Sequence, residues 1–412
     1  MILNEVCELI VDCEHKTAPT QEEGYPSIRT PNIARGYLHL DEVNRVSEET
    51  YRKWTARAVP QYGDLIMARE APVGNVAMVP QGLRPCLGQR TLLIRPMRSK
   101  VDPRYLVYLL VGDEVQNMIH AMTNGVTVPH LNMKDVRSLP LPLLPPHPTQ
   151  RKIAAILSAY DDLIENNLRR IKILEEMAQN LYREWFVKFR FPGHEQARFT
   201  DSALGRIPVG WEVKTLDQAV AFQNNGTEAG EHLSDRVYLP IDCIPRKSLA
   251  ISEIGTWQDA QSSLHLFDAG DILFGAMRPY FHKVVVAPFK GVTRKTCFVF
   301  KSILPGYHAF ATLTLFQEST VSFANAHSKG ATIPYAVWPQ SMDGMPVIVP
   351  ASEQAKKFED AIGPMIARIG TMFFQNTTLR RTRDLLLPRL ISGEVDVSEL
   401  DIAVPGEAEE RV

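Results

Sequence analysis

The chain has no apolar run approaching the roughly 20 residues needed to cross a bilayer, although 45% of its 412 residues are hydrophobic; no membrane span is expected. Its five cysteines, Cys7, Cys13, Cys86, Cys243 and Cys297, are odd in number and widely spread, with no C-x-x-C pair and no histidines at ligand spacing. That argues against structural zinc and disulfides, and for small apolar side chains in a reducing compartment. The N-terminus, MILNEVCELIVDCEHK, lacks a basic segment leading into an apolar stretch, so it does not read as a secretion signal and a cytoplasmic location is expected. Excess positive charge is missing as well: 45 Lys and Arg against 47 Asp and Glu leave a net charge of −2. A uniformly basic nucleic-acid binder is thereby excluded, and any contact with DNA must come from local patches.

Catalytic signatures are scarce too. There is no G-x-x-x-x-G-K-[ST] phosphate loop, so ATP use would fall to a partner. An amino-methyltransferase would need Asp/Asn-Pro-Pro-aromatic, whereas the single Pro-Pro, Pro145-Pro146, stands between Leu144 and His147. Phe274-Gly275-Ala276 is a poor fragment of a cofactor loop. Asp12, Glu14 and Lys16 form an acidic-x-lysine triplet of the nuclease kind, but such triplets arise often by chance. No catalytic or metal site is assigned.

What is present is a repeat. GDLIMAREAPVGNVAMVPQG begins at Gly63 and GDILFGAMRPYFHKVVVAPFKG at Gly270, 207 residues on; NGVTVPHL around Gly125 matches KGATIPYA around Gly330, and Pro145 matches Pro350, each pair 205 apart. Each half opens with short apolar runs bounded by turn residues, such as Asp64-Leu65-Ile66-Met67 and Val284-Val285-Val286, which predicts strands. A helix follows, capped by Asp102 and opened by Pro103, over PRYLVYLLVGDEVQNMIHAM to a stop at Asn124-Gly125; its counterpart is GYHAFATLTLFQESTVSFANAH, stopping at Lys329-Gly330. Each half then ends in a strand, a proline corner and a long helix.

The long helices carry a seam. Ile153, Leu157, Tyr160, Ile164, Asn167, Ile171, Leu174, Ala178, Leu181 and Trp185 alternate steps of four and three. Its second copy runs through Phe358, Ile362, Met365, Ile369, Met372, Asn376, Leu379, Arg383, Leu386 and Leu390. Two amphipathic helices on separate cores would give similar patterns, but about 40 residues at about 1.5 Å each reach about 60 Å, more than a small domain needs. Packing of the helices on each other is expected, with Asn167 and Asn376 fixing register. The reading is therefore α/β (α+β), with a pseudo-twofold internal repeat: domains at 1–148 and 193–348, helices at 149–192 and 349–393, and a disordered tail at 394–412. Two different heads held apart by a stiff rod would suit two short half-sites with a fixed unread spacer.

The residues LPPHPTQRKIAAILSAYDDLIENNLRRIKILEEMAQNLYREWFVKF and RTRDLLLPRLISGEVD resemble the central and distal conserved regions of type I restriction-modification specificity subunits. GDLIMAREAPVG with LGQRTLLIRP, and GDILFGAMRPYFHKV, resemble the framework of their target recognition domains. The resemblance covers nearly the whole chain. It implies two target recognition domains, an antiparallel coiled coil, a non-catalytic chain binding double-stranded DNA, and assembly with two modification subunits and with restriction subunits. S-adenosylmethionine, ATP and Mg would then sit on those partners, with no cofactor in this chain. Two other classes stay open: a self-sufficient methyltransferase or nuclease with unfamiliar motifs, and a coiled-coil scaffold without DNA specificity.

DNA contacts would come from Lys and Arg on phosphates and from a few side chains at base edges. In the first half the candidates are Lys16, Arg29, Asn32, Arg35, Arg69 and Arg90. In the second they are Asn224, Asn225, Arg246, Lys247, Arg278, Tyr280, Lys283, Arg294 and Lys295, with Arg69 and Arg278 foremost because both follow the repeated Gly-Asp strand. Asp64, Asp271, Pro129 and Pro334 read as turn-shaping. For partner subunits, the apolar residues Leu168, Trp185, Phe186, Phe189, Phe373, Phe374, Leu385 and Leu387 are candidate docking positions, some of which must cover the heads instead.

Overall fold

The computed structural model describes residues 1–41, 43–123, 129–261 and 263–404. The chain forms two compact units, Met1–Leu163 with the chain from Leu379 onward, and Ile164–Thr378.

Unit 1 contains β1 (Cys7–Asp12), β2 (Tyr25–Ile28), β3 (Arg45–Val46), helix α1 (Glu48–Trp54), β4 (Leu65–Ala68), β5 (Val76–Met78), β6 (Cys86–Leu87) and β7 (Thr91–Pro96). An antiparallel sheet runs in the order β1-β7-β4-β5, and a small sheet in the order β3-β2-β6. Leu65, Ile66, Met67 and Ala68 are all fully buried. Alternation sends Leu65 and Met67 to the core shared with the helices, and Ile66 and Ala68 to the core under the small sheet. A continuous apolar run is thus a strand covered on both faces.

Helices α2 (Pro103–Val111), α3 (Asp113–Ala121) and α4 (Met133–Arg137) follow. The sequence predicts one helix where α2 and α3 stand. Asp102 caps α2 as expected, its Oδ1 accepting from the Tyr105 N–H at 3.0 Å, but Gly112 is extended (φ −65°, ψ 145°) and divides the segment. The Gln116 amide holds the break by donating to Leu110 O at 2.7 Å and Gly74 O at 2.9 Å. The expected stop at Asn124-Gly125 and most of the motif around it lie outside the described residues.

Unit 2 opens with the hairpin β8 (Phe199–Ser202) and β9 (Gly205–Pro208), and strand β10 (Glu212–Thr215) pairs with β19 (Pro346–Val349). Between them lie β11 (Val220–Phe222), β12 (Gly226–Thr227), β13 (Val237–Tyr238), β14 (Leu264–Phe267), β15 (Ile272–Gly275), β16 (Val284–Val286), β17 (Gly291–Arg294) and β18 (Cys297–Ser302). The main sheet is β11-β18-β15-β16, the same arrangement as in unit 1, and the second sheet is β12-β14-β17-β13. Its helical segment is likewise divided, into α6 (His308–Leu315) and α7 (Glu318–Ala326), at an extended Gln317.

The repeat extends to turn chemistry. Asp64 Oδ2 accepts from Gln61 N–H at 2.9 Å, and Asp271 Oδ2 from Asp268 N–H at 2.8 Å. Gly63 (φ 88°) and Gly270 (φ 91°) take the left-handed conformation just before each aspartate, where a Cβ would be strained. Arg95 on β7 pairs with Asp64, and Lys301 at the matching place on β18 lies 3.6 Å from Asp271.

Helix α5 spans His147–Tyr182 and α8 spans Ser352–Ile391. In unit 1, Ile153 and Leu157 share a core with Leu390 and with the partly buried Leu386. Asp161 accepts from Tyr108 Oη of α2 at 2.6 Å and pairs with Arg383 of α8. In unit 2, Ile171, Ala178, Tyr182 and Trp185 share a core with Phe358, Ile362, Ile369 and Met372, and Asn167 Nδ2 donates to Asn376 Oδ1 at 2.9 Å with both residues buried. The strict heptad is corrected in detail. Leu174, Leu181 and Met365 are only partly buried, while their neighbours Glu175, Tyr182 and Ile366 go inside. A straight helix at 3.6 residues per turn drifts by about 20° per heptad, moving the buried line one residue on. Tyr160 and Leu379 are also half-exposed.

Two boundaries are corrected too. The helix expected over 149–192 ends its α-helical part at Tyr182, continues as a π turn over Arg183–Val187, and is followed by a left-handed Phe189 (φ 58°). The tail expected to be disordered from 394 is instead packed on unit 1 as far as it is described: Val397 is 1% exposed, Ile402 packs on the same core and Lys152 Nζ donates to Ser398 O at 2.6 Å. All five cysteines are unpaired, and burial pushes the Cys7 and Cys297 thiols up to about 12.

Candidate nucleic-acid interface

The first-half candidates separate into those held inside the fold and those left at the surface. Arg69 is 6% exposed. Its Nε donates to Leu131 O at 2.9 Å, and its terminal nitrogens reach Asp12 Oδ2 at 2.6 Å and His130 Nε2 at 2.9 Å. With Nε2 accepting, His130 Nδ1 donates to Glu70 at 2.7 Å, and Glu70 pairs with Arg90 at 2.8 Å. This chain of groups ties β1, β4 and the segment after α3 together, so the expectation that Arg69 leads DNA contact is corrected: its guanidinium has no free edge. Arg35 donates to Val111 O and pairs with Asp113 at 3.0 Å. Asn32 is taken up by its own turn, accepting from Arg29 N–H and donating to His39 O. Lys16 and the side chain of Arg29 remain exposed.

The same network engages Asp12 of the acidic-x-lysine triplet. Asp12, Cys13 and His15 bring ligand atoms within 4.8 Å of one another. However, Asp12 is engaged by Arg69, and burial raises the Cys13 thiol, so the donor set does not favour a cation.

In the second half, Lys283 turns inward: its Nζ donates to Ile241 O at 2.7 Å, and burial lowers its ammonium below the usual lysine range. Asn224, Asn225, Arg294 and Lys295 are exposed around the second sheet. Arg246, Lys247, Arg278 and Tyr280 come together on two adjoining loops. The Arg246 guanidinium lies 3.8 Å from the Phe281 ring centre and Arg278 lies 6.0 Å from it, while Tyr280 packs edge-on to Phe281 and is 49% exposed. Arg278 N–H donates to Pro334 O at 2.7 Å, beside a Met277–Tyr335 bridge that recurs in unit 1 as Glu70–His130.

Two side-chain groupings lie outside what the sequence pattern indicates. In unit 1, Tyr25 and Tyr51 stack at 4.1 Å, with Arg84 at 5.0 and 5.5 Å from their rings. This cluster borders an open cavity of about 350 Å³ lined also by Leu40, Val43 and Arg45. The three residues come from strand β2, helix α1 and the loop before β6, so no linear pattern announces them. In unit 2, Glu175 on α5 is 6% exposed, and its Oε1 accepts from Ser248 Oγ, Leu249 N–H and Ala250 N–H at 2.6, 2.7 and 3.2 Å. Burial raises its carboxyl above the usual range, against those three hydrogen bonds.

Among the proposed docking residues, Trp185, Phe186 and Phe373 are buried in unit 2 and Phe189 and Leu387 are partly covered, which removes them from a free surface. Leu168, Phe374 and Leu385 are exposed at 44, 46 and 62%.

Residues 1–176 match the family described as type I restriction modification DNA specificity domain. Along most of its length the chain is similar to type I restriction enzyme specificity subunits. It is 27% identical over 376 residues to the type I restriction enzyme MjaIX specificity subunit of Methanocaldococcus jannaschii, spanning 88% of this chain and 85% of the relative. It is 24% identical to the HindI specificity subunit of Haemophilus influenzae, over 74% of this chain and 80% of that one. In fold it is similar to the type I restriction-modification system S subunit of M. genitalium, with a TM-score of 0.59 at 12% identity and coverage of 95% of both chains. The chain thus combines helices with antiparallel and mixed sheets in an α+β fold. Among its described residues no helix is long and apolar enough to cross a membrane.

Proposed function

We propose that this chain, as a specificity subunit, binds a bipartite double-stranded DNA target, one half-site per unit, without catalysing a reaction itself. The observation that carries this is the repeated four-stranded sheet, β1-β7-β4-β5 and β11-β18-β15-β16, built in a chain whose first copy matches a DNA specificity domain. Equal frameworks with unequal surface loops suit two different half-sites. Helices α5 and α8 act as an antiparallel coiled coil whose length sets the unread spacer; the Asn167–Asn376 hydrogen bond supports that role because it penalises register slips. The domains are 1–148 and 193–348, with helices and tail as read from the sequence apart from the corrected ends.

Leu168, Phe374 and Leu385 form part of a docking surface for two modification subunits, which carry S-adenosylmethionine and direct adenine methylation. Restriction subunits add ATP- and Mg-dependent cleavage in the cytoplasm. Adenine methylation mapping tests the proposal in cells expressing the chain with its modification subunit. A bipartite motif that appears only with the chain is expected. Methylation or cleavage by the purified chain alone would overturn the non-catalytic reading. A stable complex that adds no methylation would instead favour a scaffold.

A further inference from the structure

The loop between β15 and β16 is built under restraint. Its turn Pro279–Phe281 is bracketed by Arg278 (φ 52°) and His282 (φ 51°), both left-handed and neither glycine. Such residues persist only where surroundings fix them. Arg278 is fixed by its N–H to Pro334 O, and His282 by its buried ring, which contacts Phe316 O at 2.8 Å and Glu318 at 3.2 Å. A second arm is locked to the first: Lys247, also left-handed (φ 53°), donates its N–H to His282 O at 2.8 Å. The next residues of that arm, Ser248 to Ala250, hang on Glu175 Oε1 of α5.

What this scaffold presents outward is specific. Arg246 lays its guanidinium face on Phe281, which leaves the in-plane N–H donors at the edge of the group. Among the described residues no carboxylate pairs with Arg246 or Arg278, whereas Arg35, Arg69 and Arg90 are all paired. The Arg278 Nε is buried without a partner. Tyr280 stands beside them half-exposed. A flat cation with its face packed, its edge open and no internal acceptor matches the paired acceptors of a guanine edge, and an exposed ring beside it matches contact with a neighbouring base.

We propose that Arg246 and Tyr280 are base-reading residues for one half-site, and that Glu175 is a positioning residue that holds their loops from the helix. This rests on the DNA-specificity reading above. It further implies that a residue of the spacer helix, which need not touch DNA, influences which bases are accepted.

The test is methylation mapping in cells carrying the full complex with wild-type chain, Arg246→Ala, Tyr280→Ala, Glu175→Ala or Glu175→Gln, with duplex binding by the purified complexes. Arg246→Ala and Tyr280→Ala should each relax one or more positions in a single half of the motif and weaken binding about tenfold. Glu175→Ala should relax the same half, and Glu175→Gln, which keeps an acceptor for the three donors, should restore it. A general loss of folding would lower methylation at every site and leave the motif's bases unchanged, so base identity separates positioning from support. If the wild-type chain yields no motif, the DNA reading itself fails. A bipartite wild-type motif left intact by Arg246→Ala and Tyr280→Ala would overturn this inference alone.

Discussion

The two units share a sheet order and an aspartate turn, yet they use arginine in opposite ways. After the Gly-Asp strand of unit 1, Arg69 is buried and bonded to Asp12, Leu131 O and His130; after that of unit 2, Arg278 meets only an aromatic ring and a backbone carbonyl. The difference follows from the neighbours. Unit 1 supplies Asp12 at the end of β1, whereas unit 2 ends the matching strand β11 at Phe222. A carboxylate pulls an arginine into the fold, and a ring leaves its edge outward. An arginine that follows the same strand in both copies, one at the strand end and one two residues further along the loop, can therefore be tied down in one copy and only half-covered in the other.

The comparison can be broken at several levels. The largest effect is expected from Arg69→Ala, which removes the buried donor shared by Asp12, Leu131 O and His130 and should cost about 3 kcal/mol of stability, read as a lower denaturation midpoint. Arg278→Ala should stay within about 1 kcal/mol and act on DNA binding instead; equal losses at both sites would erase the contrast. Next comes the buried amide pair. Asn167→Ala leaves Asn376 unsatisfied and should cost about 1–3 kcal/mol, while the double change to leucine should be near neutral in stability. It should also loosen helix register, visible as a broadened spacer in the methylated motif.

A third prediction concerns pH. Glu175 has its carboxyl raised above its unfolded value, so the folded state binds the extra proton, and ionisation on passing upward through the raised value weakens folding. Stability of unit 2 should therefore decline as pH rises from the ordinary glutamate range through that raised value, and Glu175→Gln should flatten the decline. A profile unchanged by the substitution would show that Glu175 is not the group responsible. Arg84→Ala should cost only about 0.5–1 kcal/mol, and should relax the half of the motif that Arg246→Ala leaves intact if unit 1 reads DNA through its stacked cation. The smallest change is expected for Arg35→Ala, an exposed pair worth at most about 1 kcal/mol; a marked loss of binding there would return Arg35 to the recognition surface.

Much of the framework was legible because it depends on local chemistry. Gly63-Asp64 and Gly270-Asp271 name their own turns, Asp102-Pro103 names a helix start, and the spacing of Ile153, Leu157 and Phe358 names a buried helix face. The break at Gly112 was missed because its cause, the Gln116 amide bound to Leu110 O and Gly74 O, is formed by folding. The surface was less legible still. Arg69 and Arg278 look alike in sequence, and Arg84 does not stand out beside either. The stack of Arg84 on Tyr25 and Tyr51 joins segments that only the small sheet and α1 bring together.

The sequence by itself determined the repeat and the strand and helix types, since these follow from periodicity and from residues acting on near neighbours. Which arginines are tied down and which face outward was decided by tertiary structure. A charged side chain takes whichever carboxylate, carbonyl or ring the fold places within a few ångströms of it, and for Arg69, Arg84 and Arg246 those partners lie tens of residues away along the chain.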